Sequence, residues 1–178
     1  PADRPPRWRR RAVALALALA LSVLVAVRLV IVEPYAVTSG SMAPTLQVGD
    51  RLLVWRLGGV ERGDVVVFHG SANWGEGGRD YVKRVIGVGG DEVRCCTAEG
   101  RIVRNGVEVD EPYLAGGGQG STTYDVVVPE GRLWVLGDDR TESADSRAFL
   151  GRPGGGMVPV EDVVGKVRLR YWPLGRSQ

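Results

Sequence analysis

The sequence predicts a mostly β, antiparallel, barrel-like domain that follows one N-terminal transmembrane helix. Three observations support this fold class: an apolar run near the N-terminus, a series of short β-type segments beyond residue 34, and turn signals between those segments. Gly is frequent (26 of 178 residues) and charged residues make up 25%, which is typical of a loop-rich globular protein rather than a disordered one. The net charge of +2 gives no reason to expect a nucleic-acid partner.

The first element is the apolar run. Five arginines lie within residues 4–11, and the run from residue 12 to residue 32 contains a single charge, Arg28. As a helix, residues 12–32 are about 31 Å long, close to the thickness of a bilayer's hydrocarbon core. A buried helix of a soluble domain and a cleaved secretory signal are the alternatives. The run is longer than the usual apolar region of a signal, and no clear small-x-small cleavage site precedes Pro34.

The arginines before the run predict its orientation. By the positive-inside rule, residues 1–11 are cytoplasmic, residues 12–32 are a single-pass anchor in the lipid bilayer, and residues 34–178 form an extracytoplasmic β-rich domain. Within that domain we expect residues 91–130 to form a hairpin-rich subdomain. Because residue 1 is not Met, we expect the sequence to be trimmed at its N-terminus.

The β-type segments follow in order at residues 50–55, 64–68, 80–88, 91–95, 101–105, 123–128, 132–137 and 162–171. Gly-containing turn signals separate them, and Asn105-Gly106 is the strongest hairpin signal. Residues 70–79 and 115–121 are Gly-rich and predict loops. Residues 137–159 are too polar and Gly-rich for a strand and predict a long surface loop, the kind of segment that often carries function. Many short strands joined by turns favour the barrel-like class.

The two cysteines, Cys95 and Cys96, are adjacent. A metal site needs more ligands than these, and the sole histidine, His69, does not complete one, so we expect no metal and no cofactor. A vicinal disulfide outside the cytoplasm and an unbonded pair in a turn both remain open. His69 is expected to face solvent, which argues against a Ser-His-Asp site.

The lysines are informative because the sequence contains 21 arginines and only two lysines, Lys83 and Lys166. An ammonium can lose its proton when desolvated, whereas a guanidinium stays charged. Lys166 alternates with other charged residues and is expected to face solvent. Lys83 lies among apolar and aromatic residues, where burial lowers the pKa of an amine. A neutral amine can activate a serine, although two lysines can also persist by chance in an arginine-rich sequence.

Three segments resemble, in order and spacing, the conserved blocks of bacterial type I signal peptidases. They are SGSMAPTL (39–46), YVKRVIGVGGDEV (81–93) and GDDRTESADSR (137–147). Together with the anchor, the resemblance covers about residues 12–172. It implies the signal-peptidase fold and a membrane-bound endopeptidase that removes signal peptides from secreted preproteins at Ala-x-Ala-like sites. The partners implied are these preproteins and the bilayer, and we expect a monomer.

The resemblance also implies which residues form the site. It makes Ser41 the nucleophile and Lys83 the general base, acting through an acyl-enzyme. The Ser39 hydroxyl and the Ser41 backbone N–H match the oxyanion hole.

Three further residues match supporting positions. Ser143 corresponds to the serine that orients the lysine amine, while Asp145 and Arg147 correspond to an ion pair that braces the third block. The residues that match the substrate cleft are Met42, Leu46, Tyr81 and Val82.

Some positions depart from the family pattern. Asp139, Thr141 and Glu142 replace residues of the usual GDNRDNS, Gly89 stands where Pro is common, and Thr38 replaces a frequent Pro. None of these touches the dyad, so they bear on loop rigidity and specificity. Two alternative functions remain: an SOS-repressor-type Ser/Lys autoprotease, against which the anchor argues, and an inactive membrane-tethered module that binds signal peptides.

Overall fold

The protein begins with a long exposed helix. The computed structural model describes residues 6–71, 74, 78–114 and 122–173. The helix spans Arg7–Val30 and, among the residues described, is the one helix long and apolar enough to cross a membrane. It starts earlier than the predicted anchor (12–32) because arginine is a good helix former, and Val32 already belongs to a strand. Residues 1–5 of the predicted cytoplasmic segment lie outside the described residues.

The described residues after the helix form eleven strands in two antiparallel sheets. In chain order they are β1 (Val32–Ala36), β2 (Arg51–Trp55), β3 (Val65–His69), β4 (Asp80–Val88), β5 (Glu92–Cys95), β6 (Ile102–Arg104), β7 (Val107–Glu108), β8 (Tyr124–Val127), β9 (Arg132–Leu136), β10 (Val158–Pro159) and β11 (Val163–Trp172). The larger sheet has the order β1-β2-β11-β3-β4-β9-β10, and the smaller sheet has the order β7-β6-β5-β8.

The larger sheet is open. Within the described part of the chain, its outer strands β1 and β10 pair on one side only. Both are suited to an edge, since β10 has two residues and β1 contains Pro34, which has no N–H to donate. The mostly β, antiparallel prediction is therefore confirmed, and the barrel-like part of it is wrong.

Each of the eight β-type segments contains a strand, and β4 matches its segment to the residue. Asn105 and Gly106 connect β6 to β7 with positive φ angles of 53° and 79°, as a tight hairpin turn requires. Strands β1, β7 and β10 were not predicted, because two of them have only two residues and the third contains a proline.

The two sheets share a core. Trp134 and Leu136 of the larger sheet pack against Val93 and Tyr124 of the smaller one. Cys95 belongs to this core and forms a disulfide with Cys96, so the first of the two alternatives for these residues holds.

The segment 137–159 differs from its prediction as a surface loop. It contains a short 3-10 helix (Ser146–Phe149) and strand β10, and Asp145 and Ser146 are fully buried. Polar residues are buried here because they have non-local partners, for example the Ser146 Oγ, which accepts from the Val135 N–H at 3.0 Å. The predicted loop 115–121 lies outside the described residues, as do 72–73 and 75–77 of the other predicted loop.

Candidate active site

Ser41 lies on the loop between β1 and β2. The next residue, Met42, is fully buried and packs with Val37, Leu46 and Leu52, and the Leu46 N–H donates to the Met42 carbonyl at 2.9 Å. This cluster attaches the loop to the core, and Ser41 itself is only 7% exposed. A buried apolar side chain beside a serine is an effective way to hold its hydroxyl in one place.

Lys83 lies in β4, and its side chain is 3% exposed. Its Nζ lies 2.7 Å from the Ser41 Oγ, at hydrogen-bond distance. Among the residues described, no carboxylate lies within 4.0 Å of this amine. Burial lowers the pKa of Lys83 to about 8, partly opposed by the charges of Asp145 and Asp138. A large fraction of Lys83 is therefore neutral near pH 8.

The Ser39 hydroxyl lies beside this pair, with its Oγ 3.4 Å from the Ser41 Oγ. Ser39 is exposed, in contrast to Ser41. The Ser41 backbone N–H donates to no atom of the described residues. Two hydrogen-bond donors therefore lie near the Ser41 Oγ, the Ser39 hydroxyl and the Ser41 N–H. The N–H can bind a substrate atom without first breaking a hydrogen bond to the described residues.

The third block, residues 137–147, packs directly on the Ser41 loop. The Asp139 N–H donates to the Ser41 carbonyl at 3.1 Å. A Cβ on Gly137 would collide with the same carbonyl and with Ser143, so the absence of a side chain permits this close approach. The Ser41 loop and the third block are therefore in direct backbone contact.

Asp145 and Arg147 form a two-pronged ion pair within this block. The Arg147 Nε and Nη2 donate to the two carboxylate oxygens at 2.8 and 2.7 Å, and Asp145 also accepts from the Gly137 N–H at 3.0 Å. Ser143 differs from its expectation, because its Oγ is buried with no hydrogen-bond partner and does not contact the Lys83 amine.

A second ion pair, which the sequence did not reveal, supports the Ser41 loop. Arg84 donates through Nε and Nη2 to the buried Asp138 at 2.8 and 2.6 Å, and the Thr45 hydroxyl donates to the same carboxylate at 2.6 Å. Asp138 thus connects Arg84 of β4 with Thr45 of the Ser41 loop through hydrogen bonds. The sequence signals that could have revealed this pair were the place of Asp138 in the third block and the place of Arg84 beside Lys83.

A third ion pair anchors the far side of the block. The Arg140 Nη2 donates to Glu111 at 2.6 Å, and both side chains are almost fully buried. The neighbouring Tyr113 lies under the Arg84 guanidinium, 3.9 Å from its ring centre.

A cavity of about 200 Å³ adjoins the Ser41–Lys83 pair. Of the four residues expected to line a substrate cleft, Tyr81 and Val82 line this cavity, along with Ser39 and Lys83. Met42 is fully buried and does not line this cavity, because it packs with Val37, Leu46 and Leu52 in the cluster that holds the loop. Leu46 lines a separate cavity.

Two other residues with possible chemistry lie elsewhere. His69 is exposed and pairs with Asp80. Lys166 is buried, so the expectation that it faces solvent is wrong. Its Nζ donates to the Gly59 carbonyl at 2.7 Å and lies 3.4 Å from the Asp64 carboxylate. In the described residues, no group of three or more His, Cys, Asp or Glu side chains is arranged to hold a metal ion.

Comparison with known proteins places this geometry in a family. Residues 9–172 match the family model described as signal peptidase, peptidase S26. Signal peptidase I from Mycobacterium tuberculosis is 38% identical over 197 residues, covering 82% of this chain and 67% of that protein. Signal peptidase IB from Staphylococcus aureus is 40% identical over 165 residues, covering 81% of this chain and 80% of that protein.

A crystal structure of a signal peptidase I from Enterococcus faecalis overlaps 63% of this chain and 99% of its own, with 29% identity and a TM-score of 0.49. The residues that match the family model include the Ser41 loop, β4 and the third block. The chain therefore belongs to the signal peptidase family, peptidase S26, and is a hydrolase of the serine peptidase class.

Proposed function

We propose that this protein removes signal peptides from exported preproteins by a Ser/Lys mechanism, with Ser41 as nucleophile and Lys83 as general base. The observation that carries the proposal is the 2.7 Å contact between the Lys83 Nζ and the Ser41 Oγ, both on buried side chains. Serine needs an adjacent base, and Lys83 is the base in contact with it. No carboxylate of the described residues holds this amine in its charged form by direct contact.

The steps follow from these two atoms. The Ser41 Oγ attacks the scissile carbonyl carbon and passes its proton to the neutral Lys83 amine. When the tetrahedral intermediate collapses, the C–N bond breaks and the Lys83 ammonium donates that proton to the leaving amine. Water then attacks the Ser41 ester with Lys83 again as base, releasing the carboxylate and restoring the serine.

The oxyanion of the intermediate needs donors close to Ser41. We assign this role to the Ser41 N–H and the Ser39 hydroxyl, since the N–H has no acceptor among the described residues and the hydroxyl lies 3.4 Å from the Ser41 Oγ. Donors fixed in advance stabilise the developing charge by a few kcal/mol each. Asp145 and Arg147 act by bracing the third block, which packs against this loop.

The substrate is expected to bind as an extended chain beside β4. Residues 80–83 pair with β3 on one side, whereas β9 pairs with β4 only from Arg84 onward, so a strand edge remains beside Lys83. Adding a strand at such an edge is a common mode of peptide recognition. The adjoining cavity is small, about 200 Å³, which suits the small side chains of an Ala-x-Ala-like site.

The helix Arg7–Val30 is assigned to the bilayer. Its exposed apolar surface and the arginines at its start favour a cytoplasmic N-terminus and an extracytoplasmic β-rich domain. This arrangement places the site on the side where the end of a membrane-held signal peptide emerges. We further propose that the protein acts as a monomer.

The test is cleavage of a preprotein with an Ala-x-Ala site by the full chain in detergent or lipid, followed by mass spectrometry of both products. We expect Ser41→Ala to lower turnover at least about 10³-fold and to abolish labelling by a serine-directed acylating inhibitor. Ser22→Ala in the helix is the matched control and should behave as the parent. A parent that binds the preprotein without turnover, and whose Ser41 stays unlabelled, would instead be an inactive binding module.

A further inference from the structure

A second cavity, separate from the first, is lined by residues that follow Ser41 and Lys83 along the chain. The first cavity is lined by residues 35–39, which precede Ser41, and by residues 79–83, which end at Lys83. The second, of about 460 Å³, takes the residues that follow on both segments, Thr45 and Leu46 on the loop and Arg84 on β4. On both segments the dyad is the dividing point between the two cavities. Along both segments, the residues that line the second cavity thus come after those that line the first.

The second cavity has a basic wall. Its charged lining residues are Arg84, Arg168 and Arg170, together with one acid, Asp64. Arg84 is paired with Asp138 and Arg170 with Asp50, while Asp64 is paired with Lys166. Arg168 is exposed, and no carboxylate of the described residues lies within 4.0 Å of it. One positive charge on this wall is thus left without a protein counter-charge.

Arg168 lies at a β-bulge. In the ladder between β11 and β2, Val167 pairs with Val54 and Leu169 pairs with Leu53, so Arg168 is the extra residue of a bulge. A β-bulge re-aims a side chain and is common next to active sites. Arg168 lines the cavity together with Val167, Leu169 and Arg170.

We propose that the second cavity receives the first residues of the mature protein, on the carboxyl side of the scissile bond, and that Arg168 gives it a preference for acidic side chains there. This inference rests on the function proposed above. It adds a specificity determinant on the side of the substrate that is retained, separate from the small cavity that selects the signal peptide. The attraction is electrostatic, so it weakens as salt concentration rises.

The test uses pairs of preproteins that share one signal peptide. The two members of a pair differ only in carrying Asp or Lys at one of the first four mature positions, and each of these positions has its own pair. For each enzyme, the measured quantity is the ratio of kcat/KM for the Asp substrate to that for the Lys substrate. We expect the parent to prefer Asp by about threefold to fivefold at one or more positions at low salt, as for exposed ion pairs. Arg168→Gln should bring the ratio close to one, and Arg168→Glu should invert it.

Because each ratio is internal to one enzyme, a partial loss of folded protein does not affect it. Arg94→Glu is the matched control, since Arg94 is an exposed arginine on the smaller sheet, and it should leave the parental ratio unchanged. A ratio that stays at the parental value in Arg168→Glu, or a parent without preference, overturns the inference while cleavage itself still supports the proposed function. A parent that cleaves no substrate overturns both.

Discussion

The two lysines of this chain are both buried in the larger sheet, and they differ in what surrounds them. Lys166 donates to the Gly59 carbonyl and lies 3.4 Å from the Asp64 carboxylate. Within the described residues, the Lys83 amine has one hydrogen-bond partner, the Ser41 hydroxyl. The two carboxylates that raise the pKa of Lys83, Asp145 and Asp138, are each paired with an arginine.

Burial therefore does not by itself make a lysine into a base. A buried ammonium with a carboxylate partner remains charged, because the partner compensates its desolvation. At Lys83 burial is the largest effect and lowers the pKa to about 8, while the charges of Asp145 and Asp138, which are paired with arginines and do not contact the amine, oppose it only in part. The depth of Lys83, together with the lack of a carboxylate in direct contact with it among the described residues, is what favours a neutral amine.

The largest expected effect comes from exchanging each lysine for arginine. Arginine keeps the positive charge but cannot act as a base, so Lys83→Arg should lower kcat/KM for a preprotein at least about 10³-fold. Lys166→Arg retains a cation beside Asp64 and should stay within about threefold of the parent. Circular dichroism and thermal unfolding serve to establish that both variants are folded. Activity retained in Lys83→Arg would mean that the base lies elsewhere.

The next effect is on stability, and it has opposite signs at the two positions. The folded-state pKa of Lys83, about 8, lies below the value of about 10.4 for an unfolded chain. The unfolded state therefore binds more protons between these values, and below pH 8 the folded protein carries the full cost of a desolvated ammonium. Lys83→Met should accordingly raise the free energy of unfolding at pH 7 by about 3 kcal/mol, and the gain should shrink between pH 8 and pH 10.5.

Lys166→Met provides the contrast. It leaves the Asp64 carboxylate and the Gly59 carbonyl without their partner, which should lower the free energy of unfolding by about 1 to 3 kcal/mol. Chemical denaturation of both variants at pH 7 and pH 10 measures the difference. If both substitutions were destabilising at pH 7, the account of Lys83 as an uncompensated cation would be wrong.

The same contrast shows what the sequence reveals and what it does not. The apolar surroundings of Lys83 in β4 pointed to its burial, because they are local and visible in the chain. Lys166 was expected to face solvent, because charged residues alternate around it in β11. Its partners Gly59 and Asp64 come from a segment about a hundred residues earlier, and no local pattern reveals such a contact.

The fold divides in the same way. Eight of the eleven strands were predictable from alternation and turns, whereas the two-residue strands β7 and β10 are too short for a sequence pattern and are defined by their pairing with β6 and β9. The buried pairs Arg84–Asp138 and Arg140–Glu111 likewise join residues 54 and 29 positions apart. Their parts lie in or beside recognisable blocks, but their pairing is set by the packing of those blocks.

The smallest expected effect is on the pH dependence of cleavage. Because the neutral form of Lys83 is the active one, kcat/KM of the parent should rise with pH to a plateau, with a midpoint near 8 and a tenfold fall per pH unit below it. Burial sets most of this midpoint, and the negative charge of Asp145 raises it. Removing that charge should therefore shift the midpoint to lower pH.

Asp145→Asn and Asp64→Asn make this a matched pair, because each removes one carboxylate near one buried lysine. Asp145→Asn weakens the Arg147 contact and lowers overall activity, but the midpoint does not depend on how much active enzyme remains, and we expect it to move down by a fraction of a pH unit. Asp64→Asn removes the carboxylate beside Lys166 and should leave the midpoint at the parental value, because Asp64 is not among the charges that affect the pKa of Lys83. Initial rates from pH 6 to pH 10 decide between the two results. A midpoint that moves in Asp64→Asn but not in Asp145→Asn would mean that the titrating group is not Lys83, and the distinction between the two lysines would be lost.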